Sequence, residues 1–268
     1  MSPPTPTGVS LDVATVSVVG QAVIAPGVAH PSRLQGLYTP TATPDEAATI
    51  LGRKGLLGKN DATRLALCAV HRALGYPVGI RPQPELDPTT AVVGGGALTN
   101  ADSVARLARQ VAAVDDSISV MDAPNASGNV LASAVALRFR LGGPCLMITS
   151  GRWSADQALR IALLMLATER ARRVVVVGAQ ALSNEMRPLV DFDVSPAAAC
   201  VVLAKDVTPT SPRLDDLTEL EPATQVPGSR HSGISSLIAM AERAEQSAQE
   251  GRSVVLAPAW KSSIGSTR

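Results

Sequence analysis

Two rhythms of apolar and polar positions share this chain. Short, nearly continuous apolar runs bounded by glycine or proline predict strands: residues 14–24 (ATVSVVGQAVI), 90–94 (TAVVG), 144–150 (PCLMITS), 173–179 (RVVVVGA), 197–204 (AAACVVLA) and 253–257 (SVVLA). Between them lie segments with apolar residues three and four apart, which predict helices over 61–74, 101–114, 130–139, 154–169 and 232–249. A further helix start is expected at Thr43-Pro44-Asp45-Glu46, with Thr43 as N-cap. Strands alternating with helices predict an α/β fold with a mainly parallel sheet. The four valines Val174–Val177 suit a parallel strand covered on both faces.

The predicted helix over 154–169 organises the rest. Ala158, Ile161, Leu163, Leu164, Met165 and Leu166 give it no polar face, so protein is expected to cover it on every side. It joins an edge-like strand to a central one. In the helix over 61–74 the stripe Ala62, Leu65, Ala66, Ala69, Val70 and Ala73 is apolar. Arg64, Cys68, His71 and Arg72 lie opposite, which places His71 on the surface. Gly94-Gly95-Gly96 follows a strand and precedes a helix, but matches neither GxGxxG nor GxxxxGK[ST]. Close backbone packing is the reading adopted for it.

Composition narrows the function classes. The chain has 268 residues, 46% of them hydrophobic, but only two each of Phe, Trp and Tyr, so the core is built from Ala, Val and Leu. A net charge of +1 recommends neither nucleic acid nor an anionic membrane as partner. Cys68, Cys145 and Cys200 are too scattered for a disulfide or zinc pattern, and no metal or cofactor is expected. Reduced thiols, no signal-peptide pattern over 1–10 and no apolar run of about 20 residues point to a cytoplasmic, non-membrane protein.

Five segments in order, VSVVGQAVIAPG (16–27), AVVGGG (91–96), APNASGN (123–129), GPCLMITSG (143–151) and RRVVVVGAQ (172–180), resemble the N-terminal half of a beta-ketoacyl synthase. The resemblance implies a thiolase-like half-fold: a five-stranded, mainly parallel sheet of order 3-2-1-4-5, its fifth strand antiparallel, with helices on both faces. The extent of the resemblance, with the Pro- and Thr-rich composition of the flanking segments, predicts a division of the chain. Residues 1–12 form a disordered tail, 13–206 the ketosynthase-like domain, 207–230 a linker, and 231–268 a helix-strand extension packing on the domain.

In that family the buried helix carries the nucleophilic cysteine at its N-terminus, where the helix dipole favours thiolate. Counted along the family's pattern, that position is Arg152, so no catalytic residue is assigned. Two family histidines are also unmatched, since His30, His71 and His231 lie in none of their motifs. Other nucleophiles are weak candidates. Cys145 reads as a small buried thiol, Ser150 and Ser154 have no evident base, and Asp156 reads as a structural residue in the helix's first turn.

The resemblance therefore implies a shortened, non-catalytic subunit of chain-length-factor type. Such a subunit pairs with an active ketosynthase in type II polyketide or fatty-acid biosynthesis, or with a second copy of itself, and meets acyl carrier protein through its partner. Arg152, Trp153, Asn125 and Met147 are the candidates for lining a tunnel or the interface, with an ion pair from Arg152 to Asp156 or Asp122 as the structural alternative. The competing function is a stand-alone acyltransferase or condensing-type enzyme on acyl thioesters with a displaced nucleophile.

Overall fold

The computed structural model describes residues 16–25, 34, 36–38, 43–113, 122–183, 186, 195–205, 213–214, 233–250 and 255–256. The expected tail over 1–12, His30, His231 and most of the expected linker lie outside them. The elements are β1 (Val16–Ile24), α1 (Ala47–Leu51), α2 (Asp61–Ala73), β2 (Thr90–Gly95), α3 (Ala101–Ala112), α4 (Val130–Phe139), β3 (Cys145–Ile148), α5 (Ser154–Ala167), β4 (Arg173–Gln180), β5 (Ala197–Lys205), β6 (Arg213–Leu214), α6 (Ser235–Gln249) and β7 (Val255–Leu256).

The sheet runs β3-β2-β4-β5-β1-β7-β6: five main strands and two of two residues each. This corrects the expected order. β2 pairs directly with β4, Thr90–Gly94 against Arg173–Val177, leaving no place for β1 between them. β1 lies instead beyond β5, antiparallel to it. The reason is visible in β1 itself. Val18, Gly20 and Gln21 are only partly buried and Val19 is exposed, at a register shift against β5, whereas Val174–Val177 are wholly buried. A strand with a polar, bulged middle suits the periphery.

The sheet is also mixed rather than mainly parallel. β5 is antiparallel to both β4 and β1, as implied for the fifth strand. Four main strands point one way, yet β5 sits inside the sheet, so only β2–β3 and β2–β4 among the main pairings are parallel. Arg213–Leu214, expected within a linker, pairs with β7, which in turn joins β1 at Val16 and Ser17.

Helices cover both faces. Val174 and Val176 point into a core shared with α5 and α6, while Val175 and Val177 point into one built with α1, α2 and α4. Each such valine contributes on the order of 1.5–3 kcal/mol by burial. Glycine permits the closest approach on the second face: a Cβ on Gly20 would lie 2.2 Å from the Ala73 carbonyl oxygen.

Two expectations about helices are corrected. α2 is covered nearly all round, because α1 and α4 pack on the side away from the sheet, so both Cys68 and His71 are fully buried. α5, by contrast, is not covered on every side. α6 lies beside it, over β5 and β1, which leaves Gln157, Arg160 and Leu164 exposed. At α1 the N-cap is Glu46, although Thr43 and Glu46 make the reciprocal bonds of a capping box one turn earlier.

Candidate functional site

The connection from β3 to α5 is a tight elbow. Gly151 takes a left-handed backbone (φ 57°) with nothing within 4 Å of where a Cβ would stand, and residues Gly151–Trp153 form one 3-10 turn that delivers the chain to α5. Ser154 locks this turn. Its hydroxyl donates to the Gly151 carbonyl at 2.7 Å and accepts from the Ser150 amide at 2.9 Å. The Ala155 amide, one of the helix's free first-turn donors, is taken by the Gly233 carbonyl at 2.9 Å.

The glycines before α3 belong to the same construction. A Cβ on Gly95 would meet the Ser154 carbonyl oxygen at 2.8 Å and the Ala158 Cβ at 3.0 Å, so glycine there lets α5 settle on the end of β2. Gly233 fills the gap above, where a Cβ would lie 2.7 Å from the Gly151 oxygen. The triplet thus serves close packing.

Arg152 and Trp153 stand together on the outside of the elbow, both exposed, with the guanidinium carbon 4.7 Å from the centre of the indole ring. The two carboxylates considered as ion-pair partners for Arg152 are engaged elsewhere. Asp156 accepts from the Ser236 hydroxyl at 2.7 Å, and Asp122 pairs with Arg106 at 3.1 Å. The other two candidates are not brought to the elbow. Met147 sits opposite Gly94 in the β2–β3 register and packs, partly buried, on the α2–α4 side of the sheet. Asn125 is buried in a one-turn helix over Ala123–Ala126, where its side-chain amide donates to the Gly58 carbonyl.

The thiols are poorly suited to nucleophilic attack. Burial pushes Cys68 up to about 12 and Cys200 higher still. Cys145, on the edge strand, is raised by burial as well, with a hydrogen bond from the Asn129 amide working the other way. Ser154 is buried and spent on the turn. Among the described residues no group of three or more His, Cys, Asp or Glu is placed to hold a metal ion, and no helix is long and apolar enough to cross a membrane.

One polar feature escaped the sequence reading: a cavity between the first turns of α2 and α3 lined by Asp61, Arg64, Ser103 and Asn125. Only the adjacency of two polar helix starts hinted at it.

Residues 29–194 match the family model described as beta-ketoacyl synthase, N-terminal domain. Among solved structures, "The ishigamide ketosynthase/chain length factor" is similar, with a TM-score of 0.54 and 22% identity over 74% of this chain and 64% of that one. A ketosynthase (ApeO) in complex with its chain length factor (ApeC) from Xenorhabdus doucetiae gives a TM-score of 0.53 and 17% identity over 72% of this chain and 79% of the other. The chain thus spans less than two thirds of the first of these. No curated protein matches it.

Proposed function

The chain belongs to the beta-ketoacyl synthase family through its N-terminal domain, and from that premise we propose that it is a non-catalytic, chain-length-factor-like subunit that pairs with an active ketosynthase. The observation behind this reading is the elbow. Where the family pattern expects a cysteine at a helix N-terminus, this chain has Arg152, exposed and stacked on Trp153. Arginine cannot take an acyl group, and no other residue of the elbow replaces the thiolate. The stand-alone acyltransferase is disfavoured for the same reason: Cys145 is a raised-pKa thiol, and the Ser154 hydroxyl is committed to backbone.

The similarity to ketosynthase and chain length factor pairs agrees with a ketosynthase partner. The assembly proposed uses the open edge of β3, which among the described residues pairs only with β2. A short edge carrying Leu146, Met147 and Ile148 without charge invites a strand from another chain. The pathway proposed is type II polyketide or fatty-acid synthesis in the cytoplasm, with acyl carrier protein reaching the complex through the partner.

Arg152 and Trp153 then face the partner's substrate, and Arg152 limits chain length. The test is Arg152→Ala and Arg152→Cys assayed with and without an active ketosynthase. Arg152→Ala shifts product length while the complex stays intact, and Arg152→Cys alone stays inactive. Condensation by Arg152→Cys in isolation contradicts the proposal, and unchanged products from Arg152→Ala remove Arg152 from the tunnel.

A further inference from the structure

The cavity between the first turns of α2 and α3 has a volume of about 310 Å³. Most of its polar lining is internally matched. Asp102 accepts from the amide and hydroxyl of Ser183 at 3.0 and 2.7 Å, and Arg106 pairs with Asp122. Two buried donors of the lining have no hydrogen-bond partner among the described residues. Ser103, in the first turn of α3, is fully buried and its hydroxyl has no hydrogen-bond partner. Arg64 Nε is likewise buried and unpartnered, while its Nη1 comes no nearer than 3.8 Å to Asp45 and 4.0 Å to Asp61. Leaving such groups unsatisfied in the folded chain is unfavourable.

Both open donors ask for an acceptor, and the α3 N-terminus adds its positive end. The lining carries both signs of charge, Asp61, Asp102 and Asp122 beside Lys59, Arg64 and Arg106, so an occupant bearing both a cation and an anion fits it better than a simple anion does. Asp61 has room for such a cation, because among the described residues its carboxylate makes no hydrogen bond and has no cation closer than 4.0 Å. We infer that this cavity binds a small zwitterion, an α-amino acid, with its carboxylate on Arg64 and Ser103 and its ammonium on Asp61. A volume of about 310 Å³ admits glycine, alanine and serine and leaves room for larger side chains. The inference does not rest on the ketosynthase partnership, since Arg64, Ser103 and Asp61 belong neither to the elbow nor to the β3 edge.

Titration calorimetry on the intact chain with glycine, L-alanine and L-serine tests the inference, alongside N-acetyl-L-serine, L-serine methyl ester and acetate. The expected result is saturable binding of at least one free amino acid, lost on acetylation or esterification and absent for acetate. Asp61→Asn weakens that binding about tenfold and Ser103→Ala about fivefold, the sizes of a charged and a neutral hydrogen bond. Circular dichroism checks that both variants are folded. If either fails to fold, the comparison of free and blocked amino acids on the wild-type chain still decides. No saturable binding at millimolar concentrations, equal binding of blocked and free forms, or wild-type affinity in both folded variants overturns the inference.

Discussion

The Ser236 hydroxyl donates a 2.7 Å hydrogen bond to the Asp156 carboxylate, joining the first turns of α6 and α5 across 80 positions of sequence. A carboxylate in a helix's first turn also favours the positive end of the dipole, so Asp156 stabilises both its own helix and the contact with α6. Ser236→Ala should cost about 1–2 kcal/mol in denaturant unfolding, and Asp156→Ala somewhat more. A double-mutant cycle should return a coupling of about 1 kcal/mol. Additive losses would show that the two side chains do not act together.

Gly95 offers a sharper steric test. Its missing Cβ would sit 2.8 Å from the Ser154 carbonyl oxygen, backbone that cannot swing aside. Gly95→Ala should destabilise the fold by about 1–3 kcal/mol, as overpacking does. Gly128, which has nothing within 4 Å of the same virtual atom, is the control, and its alanine variant should unfold within about 0.5 kcal/mol of wild type. Equal effects at the two positions would contradict the packing described at the elbow.

Much of this was legible in the sequence, and the failures have physical causes. Runs such as Val174–Val177 announce strands because both flanks are buried, and the elbow announces itself by Gly151. Strand order was not legible, because which strands pair is settled by long-range register. β1 does carry the warning, in Ser17, Gly20 and Gln21, that it is not central. The exposed stripe of α5 was readable too: Gln157, Arg160 and Leu164 are three and four apart, but the apolar count outweighed their spacing. His71 was misplaced because α1 and α4 supply a second cover that the helix's own periodicity does not reveal. Arg64 and Ser103 line one cavity from two different helices, and spacing along the chain says nothing about that.

Burial of His71 makes stability depend on pH. Its Nε2 lies 2.9 Å from the Pro77 carbonyl and therefore donates, leaving Nδ1 as a buried acceptor without a partner among the described residues. The ring lies 5.6 Å from Tyr76 and 6.4 Å from Phe139. Burial lowers the pKa from its ordinary 6.5, and the nearby Arg138 and Arg72 guanidiniums push the same way, against the Pro77 bond. The unfolded chain takes up a proton below 6.5 that the folded chain resists. Stability is therefore at its plateau above 6.5 and falls as pH drops from 6.5 towards the lower folded value. Urea midpoints measured across that window should show the decline in wild type and a flatter profile in His71→Phe. Identical slopes would place the titration elsewhere.

Leu146 is 42% exposed on the outermost strand, so its replacement costs the isolated chain little. Leu146→Lys puts a charge on the edge proposed to pair. It should leave the melting temperature of the chain within a few degrees while weakening association with its partner. Sedimentation over a concentration series measures both, and unimpaired association in this variant would move the interface off β3.

The partnership is tested most directly by purifying the tagged full chain from its native cells and identifying what remains bound in stoichiometric amount. A non-catalytic subunit should come away with a ketosynthase that keeps its cysteine, and the pair should condense acyl units where the chain alone does not. Isolation as a single species that itself forms an acyl-enzyme would contradict the account.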